Sequence, residues 1–270
     1  ITDHYELDLN TEQADLCLRN SFIETGKARQ AFDYRLLVMN GIEMGQATQN
    51  LDKAEEVLRK YRFDFVLGSL HAIRGMDDFA YVDFSGLNAE VILERYFDEL
   101  LELCQWGGFD SLAHMTYPLR YIVGKYQQPV DMSRYDEVIR EILSTLAQKH
   151  LGLEINTAGL RREIGQTSPT LEYVKLFREL GGEILTFGSD AHCAKELGGC
   201  VTEFDCEASL SALKAALLEG RCNPIEVRAC KWVWKGFSKL RRERTCGTFV
   251  SRCKALGYFA GCVLRDILKI

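Results

Sequence analysis

The sequence predicts an α/β protein whose parallel strands close, or nearly close, into a barrel. Short apolar runs alternate with helical stretches of 10–18 residues, the pattern of right-handed βαβ units. Several of those runs end on a histidine or a carboxylate, and barrels collect their functional groups at the C-terminal ends of strands. A length of 270 residues suits one such domain.

Taken in order, Ile1-Thr2-Asp3-His4 reads as the end of a strand and Glu12 to Ala31 as a polar helix. Tyr34 to Met39 is the expected next strand, with Asn40-Gly41 turning the chain before Glu43 emerges from apolar surroundings. Leu51 to Arg62 has Ala54, Val57, Leu58 and Tyr61 at helical spacing, and Phe63 to His71 is a strand ending in histidine. Ala89 to Trp106 carries Ile92, Leu93, Tyr96, Phe97, Leu100 and Leu101 on one stripe and stops at Gly107-Gly108. Phe109 to His114 is a strand, Ser133 to Leu151 a helix, and Gly152 to Asn156 a strand. Thr170 to Leu180 is helical, and Glu183-Ile184-Leu185-Thr186 is a buried strand leading into Phe187-Gly188-Ser189-Asp190-Ala191-His192. A helix over Leu210 to Leu218 and a strand at Pro224 to Val227 complete the reading.

The net charge of −6 conceals an asymmetry: residues 221–270 carry about +9 and the first 220 about −15. An acidic body argues against nucleic acid as the partner. No apolar span is long enough to cross a bilayer, and the acidic first twenty residues do not form a signal peptide. Ten cysteines form no Cys-x-x-Cys pair, so reduced thiols in a cytoplasm are the expected state. The chain begins with Ile inside a motif, and a segment in front of it is expected.

A carboxylate and an imidazole two residues apart, Asp190 and His192, can reach one point just past a strand. Zinc, manganese or iron accepts such a mixed oxygen and nitrogen set. The same arrangement recurs upstream, because His4, His71 and His114 also close strands and Glu43 emerges beside one. The fifth histidine, His150, closes a helix, where the macrodipole suffices to explain it. Two or three clustered divalent cations would supply what phosphate ester hydrolysis needs, with Glu43 as the candidate bridging carboxylate.

Ile1-Thr2-Asp3-His4, Gly41-Ile42-Glu43, Gly68-Ser69-Leu70-His71, Ala113-His114 and Gly188-Ser189-Asp190-Ala191-His192 resemble, in order and spacing, the PHP (polymerase and histidinol phosphatase) superfamily. Ala113 to Tyr121 and Leu153 to Arg161 resemble its monofunctional histidinol-phosphatase branch, and the resemblance covers about residues 1–225. It implies a distorted (β/α)7 TIM-like barrel with up to three metals that cleaves L-histidinol phosphate to L-histidinol and phosphate. Carried over by motif, Glu43, His71 and His114 serve one metal, Glu43 and Asp190 a second, and His4 and His192 a third. Glu43, Asp190 and His192 are thereby the catalytic set, and Arg161 grips the substrate phosphate. Asn156 positions the loop or the substrate, or simply caps its strand, while Asp3 orients His4. Ser69 and Ser189 are expected to be turn residues and Cys193 a small packing residue.

One departure bears on activity. The family opens with a strand ending in His-x-His, absent here, so this chain is expected to lack the first strand and helix of the barrel. The second metal then loses two imidazoles, turnover is expected to be impaired, and the barrel keeps an open seam. The barrel is assigned to residues 1–227 and a basic, Cys-rich extension to 228–270. Within the extension, Phe249 to Ile270 suits a helix packed on the barrel, or a basic amphipathic helix for a membrane or partner. Two other functions compete: action on another small phosphate ester, and a non-catalytic remnant barrel acting as a binding module.

Overall fold

The computed structural model describes residues 1–8, 11–32, 38–193 and 196, together with strands 201–204 and 222–225. Six strands, β1 (Thr2–Glu6), β2 (Gly41–Gly45), β3 (Phe65–Ser69), β4 (Ser111–Leu112), β5 (Gly152–Asn156) and β6 (Leu185–Gly188), form one parallel sheet in chain order. Five helices fill the crossovers: α1 (Thr11–Ala31), α2 (Leu51–Lys60), α3 (Ala89–Trp106), α4 (Asp136–Gln148) and α5 (Leu171–Glu179). Strict β-then-α alternation with neighbouring strands paired in sequence is the wall of a TIM-like barrel.

Strand periodicity decides what faces inward. On β2, Ile42 and Met44 join the main core under the helices, as do Leu153 and Ile155 on β5. Their alternates, Glu43 and Glu154, therefore point to the opposite, inner face. There Phe65, Leu67 and Ala113 make a separate small apolar floor. Residues of β2, β3 and β5 are buried throughout, as expected where both faces of a parallel sheet are covered. The flanking strands β1 and β6 are only partly buried, and a cavity of about 280 Å³ lies between them, lined by both.

The helices form where capping and apolar stripes agree. Asn88 caps α3 by accepting from Glu90 N–H at 3.0 Å, and Gly107 ends it at φ 72°. Its buried face includes Leu93, Tyr96, Phe97 and Leu100, set against the Ile139, Ile142, Leu143 and Leu146 face of α4. Asn50 caps α2 in the same manner.

Three expectations need correction. The Asn40-Gly41 pair does not turn the chain: Gly41 is the first residue of β2, and residues 38–40 precede it outside any strand. A side chain at Gly41 would meet the Phe65 carbonyl at 2.9 Å and Thr2 at 2.7 Å, so glycine here serves close strand approach. Residues 34–37 of the strand expected over Tyr34 to Met39 lie outside the described residues. The late strand runs Cys222–Ile225 and pairs antiparallel with Val201–Phe204, so it does not extend the parallel sheet. The proline within it suits a small two-stranded ribbon better than a central parallel strand. The helix at 210–218 and the extension at 228–270 lie outside the described residues.

Leu100→Ala should cost about 2–5 kcal/mol, because the side chain is fully buried on the core face of α3. Urea unfolding measures this, and a loss under about 1 kcal/mol would mean that the α3 face is not packed as described.

Candidate metal centre

Glu43 sits at the middle of β2, and its partners come from β1 and from the loops that follow β3 and β4. His71 lies two residues past β3 and His114 two residues past β4. The His71 Nε2 is 3.0 Å and the His114 Nε2 2.9 Å from one oxygen, Glu43 Oε1, and the two nitrogens are 3.2 Å apart. His4 approaches the other oxygen, its Nε2 lying 3.7 Å from Glu43 Oε2. A tetrahedral ion with bonds of 2.0–2.1 Å has donor atoms about 3.3 Å apart. The triangle of Glu43, His71 and His114 is close to that size and fits a divalent cation. The Glu43, His71 and His4 donor atoms form a wider group, all within 4.8 Å of one another, that could hold one after a small closure.

The charge state of this cluster follows from its burial. Burial alone would raise the Glu43 carboxyl, but His4, His114 and His71 hold it well below the usual carboxylate range. Burial opposes protonation of His71, yet Glu6 and Glu43 raise it well above the ordinary imidazole value. His4 is pushed up to about 9 against its desolvation by Glu43 and Glu6. His114 goes the other way, lowered by burial and by the neighbouring His71 and Arg120 despite Glu43. Without a cation, protons on His4 and His71 balance the buried acid.

A second layer of carboxylates surrounds the first. Glu6 Oε1 lies 2.7 Å from His4 Nδ1 and 3.1 Å from His71 Nδ1. Burial tends to raise Glu6, but His71 and His4 bring it down to about 2. Glu154 Oε2 accepts the His114 backbone N–H at 2.9 Å and the Asn156 Nδ2 at 3.1 Å. Burial, with Glu43 and Asp190 nearby, pushes Glu154 up to about 8. Both acids need room: a Cβ on Gly45 would collide with the Glu6 carboxylate, and one on Gly188 with that of Glu154.

Asp190, just past β6 with φ 51°, receives Arg120 Nη1 at 2.7 Å. Burial would raise Asp190, and Arg120 together with His114 keeps it lowered. Arg120 is itself buried, lies over the Tyr117 ring and donates through Nη2 to Asn156 Oδ1 at 2.7 Å. The His192 ring is exposed, 5.4 Å from the His4 ring between centroids, with Nδ1 3.4 Å from Asp190 Oδ1. Arg161 donates from Nη2 to the carbonyls of Ser189 at 2.8 Å and Asp190 at 3.3 Å. Its buried Nη1 has no partner among the described residues. Above these groups opens a cleft of about 1010 Å³ lined by His4, His71, His114, Asp190 and His192, with Tyr117, Tyr121 and Arg162 on its walls.

The model for the PHP domain matches residues 1–158. The chain belongs to the PHP family. A second model, PHP-associated, matches residues 185–222. The probable histidinol-phosphatase of Clostridium acetobutylicum is 29% identical over 163 residues, 60% of this PHP chain and 63% of that protein. The chain thus spans somewhat less than two thirds of that relative. The histidinol-phosphatase of Lactococcus lactis is 28% identical over 200 residues, covering 72% of each chain. The crystal structure of the L. lactis histidinol phosphate phosphatase, complexed with zinc, L-histidinol and phosphate, superposes with a TM-score of 0.59 at 25% identity, over 71% of this chain and 73% of that one. A structure from Listeria monocytogenes shares the fold, with a TM-score of 0.58 at 21% identity over 67% of this PHP chain and 73% of its own.

Of the residues singled out from sequence, the PHP fold brings His4, Glu43, His71 and His114 into one cluster and sets Asp190 and His192 at its edge. Asp3 does not hold His4: strand alternation puts it on the face of Tyr5, and Glu6, two residues on, contacts the imidazole. Cys193 is exposed and does not act as packing. His150 is exposed just beyond α4, at φ 53°. Asn156 braces Arg120, Glu154 and the loop through Ala158 N–H at 3.0 Å. Sequence reasoning missed Glu6, Glu154, Gln46 and Arg120. The alternation Leu153-Glu154-Ile155 was a readable signal for an inward acid; the Arg120–Asp190 pair, seventy positions apart, had none.

Cation binding should tighten as pH rises from about 6.5 to 9, because the ion must displace protons from His4 and His71. Over the same window the metal-free protein should lose stability, since its folded imidazoles keep protons that the unfolded chain releases above 6.5. Zinc titration calorimetry and thermal melts at stepped pH check both trends, and pH-independent affinity would contradict this charge state.

Proposed function

We propose that this chain is a divalent-metal phosphomonoesterase that hydrolyses L-histidinol phosphate to L-histidinol and phosphate. The observation that carries the reading is the convergence of His71 Nε2 and His114 Nε2, two imidazoles that line the large cleft, on Glu43 Oε1 at 3.0 and 2.9 Å. The named relatives and the L. lactis complex with zinc, L-histidinol and phosphate support the substrate.

Glu43, His71 and His114 would hold one cation, Glu43 and Asp190 a second, and His4 and His192 a third. Zinc, manganese or iron suits such ligands. Bound cations would lower the pKa of a coordinated water and neutralise charge on the phosphate oxygens. The chain's own groups do the rest. Glu43 stays ionised inside the barrel because three imidazoles face it. Arg120 keeps Asp190 ionised and fixed at the cleft edge. Arg161, anchored through Nη2, places a guanidinium beside the Ser189–Asp190 turn, where it can bind a phosphate dianion. Tyr117 and Tyr121, with hydroxyls 3.1 Å apart, and the acids Asp77 and Asp78 line the outer cleft, where the alcohol portion of the substrate would lie. Among the described residues no helix is long and apolar enough to cross a membrane. Among the described residues Cys17, Cys104 and Cys193 form no disulfide, as a cytoplasmic enzyme would have them.

Phosphate release from L-histidinol phosphate with added zinc or manganese tests the assignment, with a nucleotide and a sugar phosphate alongside. Glu43→Gln should lower turnover by more than about 100-fold. Arg161→Ala should raise KM about 10-fold or more while metal content is retained. Equal activity on all three esters, or full activity of the Glu43 variant, would refute the reading.

A further inference from the structure

We infer that Glu6 is a positioning residue that aims two imidazoles at once, those of His4 and His71; this rests on the metal-centre reading above. The metal cluster is defined by Nε2 atoms: those of His71 and His114 on Glu43 Oε1, and that of His4 near Oε2. An imidazole presents Nε2 to an ion when its Nδ1–H is held elsewhere. For both His4 and His71 that second partner is the same oxygen, Glu6 Oε1, at 2.7 and 3.1 Å. No other carboxylate among the described residues contacts two histidine Nδ1 atoms.

Glu6 is in turn fixed by a buried amide and given room by a glycine. Gln46, fully buried at φ 53°, donates through Nε2 to Glu6 Oε2 at 2.8 Å and to Asp8 Oδ1 at 2.9 Å. The same side chain accepts the His71 backbone N–H through Oε1 at 3.0 Å. One amide therefore locks both ends of the Glu6–His71 contact. Gly45, paired with Glu6 across β1 and β2, leaves the space that the carboxylate occupies, since any Cβ there would collide with it. His4 and Glu6 lie on one face of β1 because strand residues two apart share a face.

The test compares the whole chain with Glu6→Gln and Glu6→Ala. In metal-free wild type, the nitrogen-resolved proton spectrum at low temperature should show two downfield Nδ1–H signals, an exchange-protected one from buried His71 and a faster-exchanging one from the more exposed His4. Both should vanish in Glu6→Ala, and at least one should persist in Glu6→Gln, whose side-chain oxygen can still accept. Zinc affinity should fall about 10- to 100-fold in Glu6→Ala and less in Glu6→Gln. Circular dichroism melts confirm that the variants stay folded; if Glu6→Ala does not, Glu6→Gln alone decides through its weaker zinc binding and its shifted Nδ1–H signals. Signals absent from wild type, or unchanged signals and zinc affinity in a folded variant, would overturn the inference. Wild type that binds no zinc would instead refute the metal centre, and the Nδ1–H signals would still decide what Glu6 does.

Discussion

The charge of Glu43 governs the rest of the structure. A carboxylate buried on the inner face of β2 is costly unless cations or protonated imidazoles surround it. The barrel wall meets that requirement by ending β3 and β4 so that His71 and His114 arrive at one Glu43 oxygen, while His4 on β1 faces the other. Removing a single partner of such a buried charge costs about 3–5 kcal/mol. Protons on the imidazoles balance this charge, and a cation held there would have to displace them, which would tie its binding to pH.

Outside this cluster, a second set of contacts gives its imidazoles and acids their direction. Glu6 faces the Nδ1 atoms of His4 and His71, Glu154 holds the His114 backbone at φ 22°, and Arg120 holds Asp190. Each depends on a small residue or an amide nearby: Gly45 and Gly188 make room for the two acids, Gln46 donates to the second Glu6 oxygen, and Asn156 shares the Glu154 oxygen that accepts the His114 N–H. Loops after β3 are secured in the same way from the helical layer, where Glu99 of α3 accepts the Arg74 N–H at 2.9 Å. The helices thus position the centre without touching it.

Much of this was legible in the chain. Apolar stripes foretold α3 and α4, and Gly152 to Asn156 is a strand with the bounds expected. Histidines at strand ends foretold the cluster because strand ends share one side of a parallel sheet. Local pattern failed where the deciding partner was remote. Asn40-Gly41 looks like a turn, yet Gly41 is required by the Phe65 carbonyl on the next strand. Asp3 looked like the natural companion of His4, and only the period of two on β1 reveals Glu6 in its place. Arg120 pairs with an aspartate seventy positions away, a contact that no local spacing encodes.

The most direct test of a cation niche at Glu43 is anomalous diffraction at the zinc edge from crystals of this chain equilibrated with zinc. The account predicts a peak about 2.0–2.2 Å from a Glu43 oxygen and from the Nε2 atoms of His71 and His114. Zinc bound only elsewhere, or no peak at Glu43 while the two imidazoles remain on its carboxylate, would contradict it.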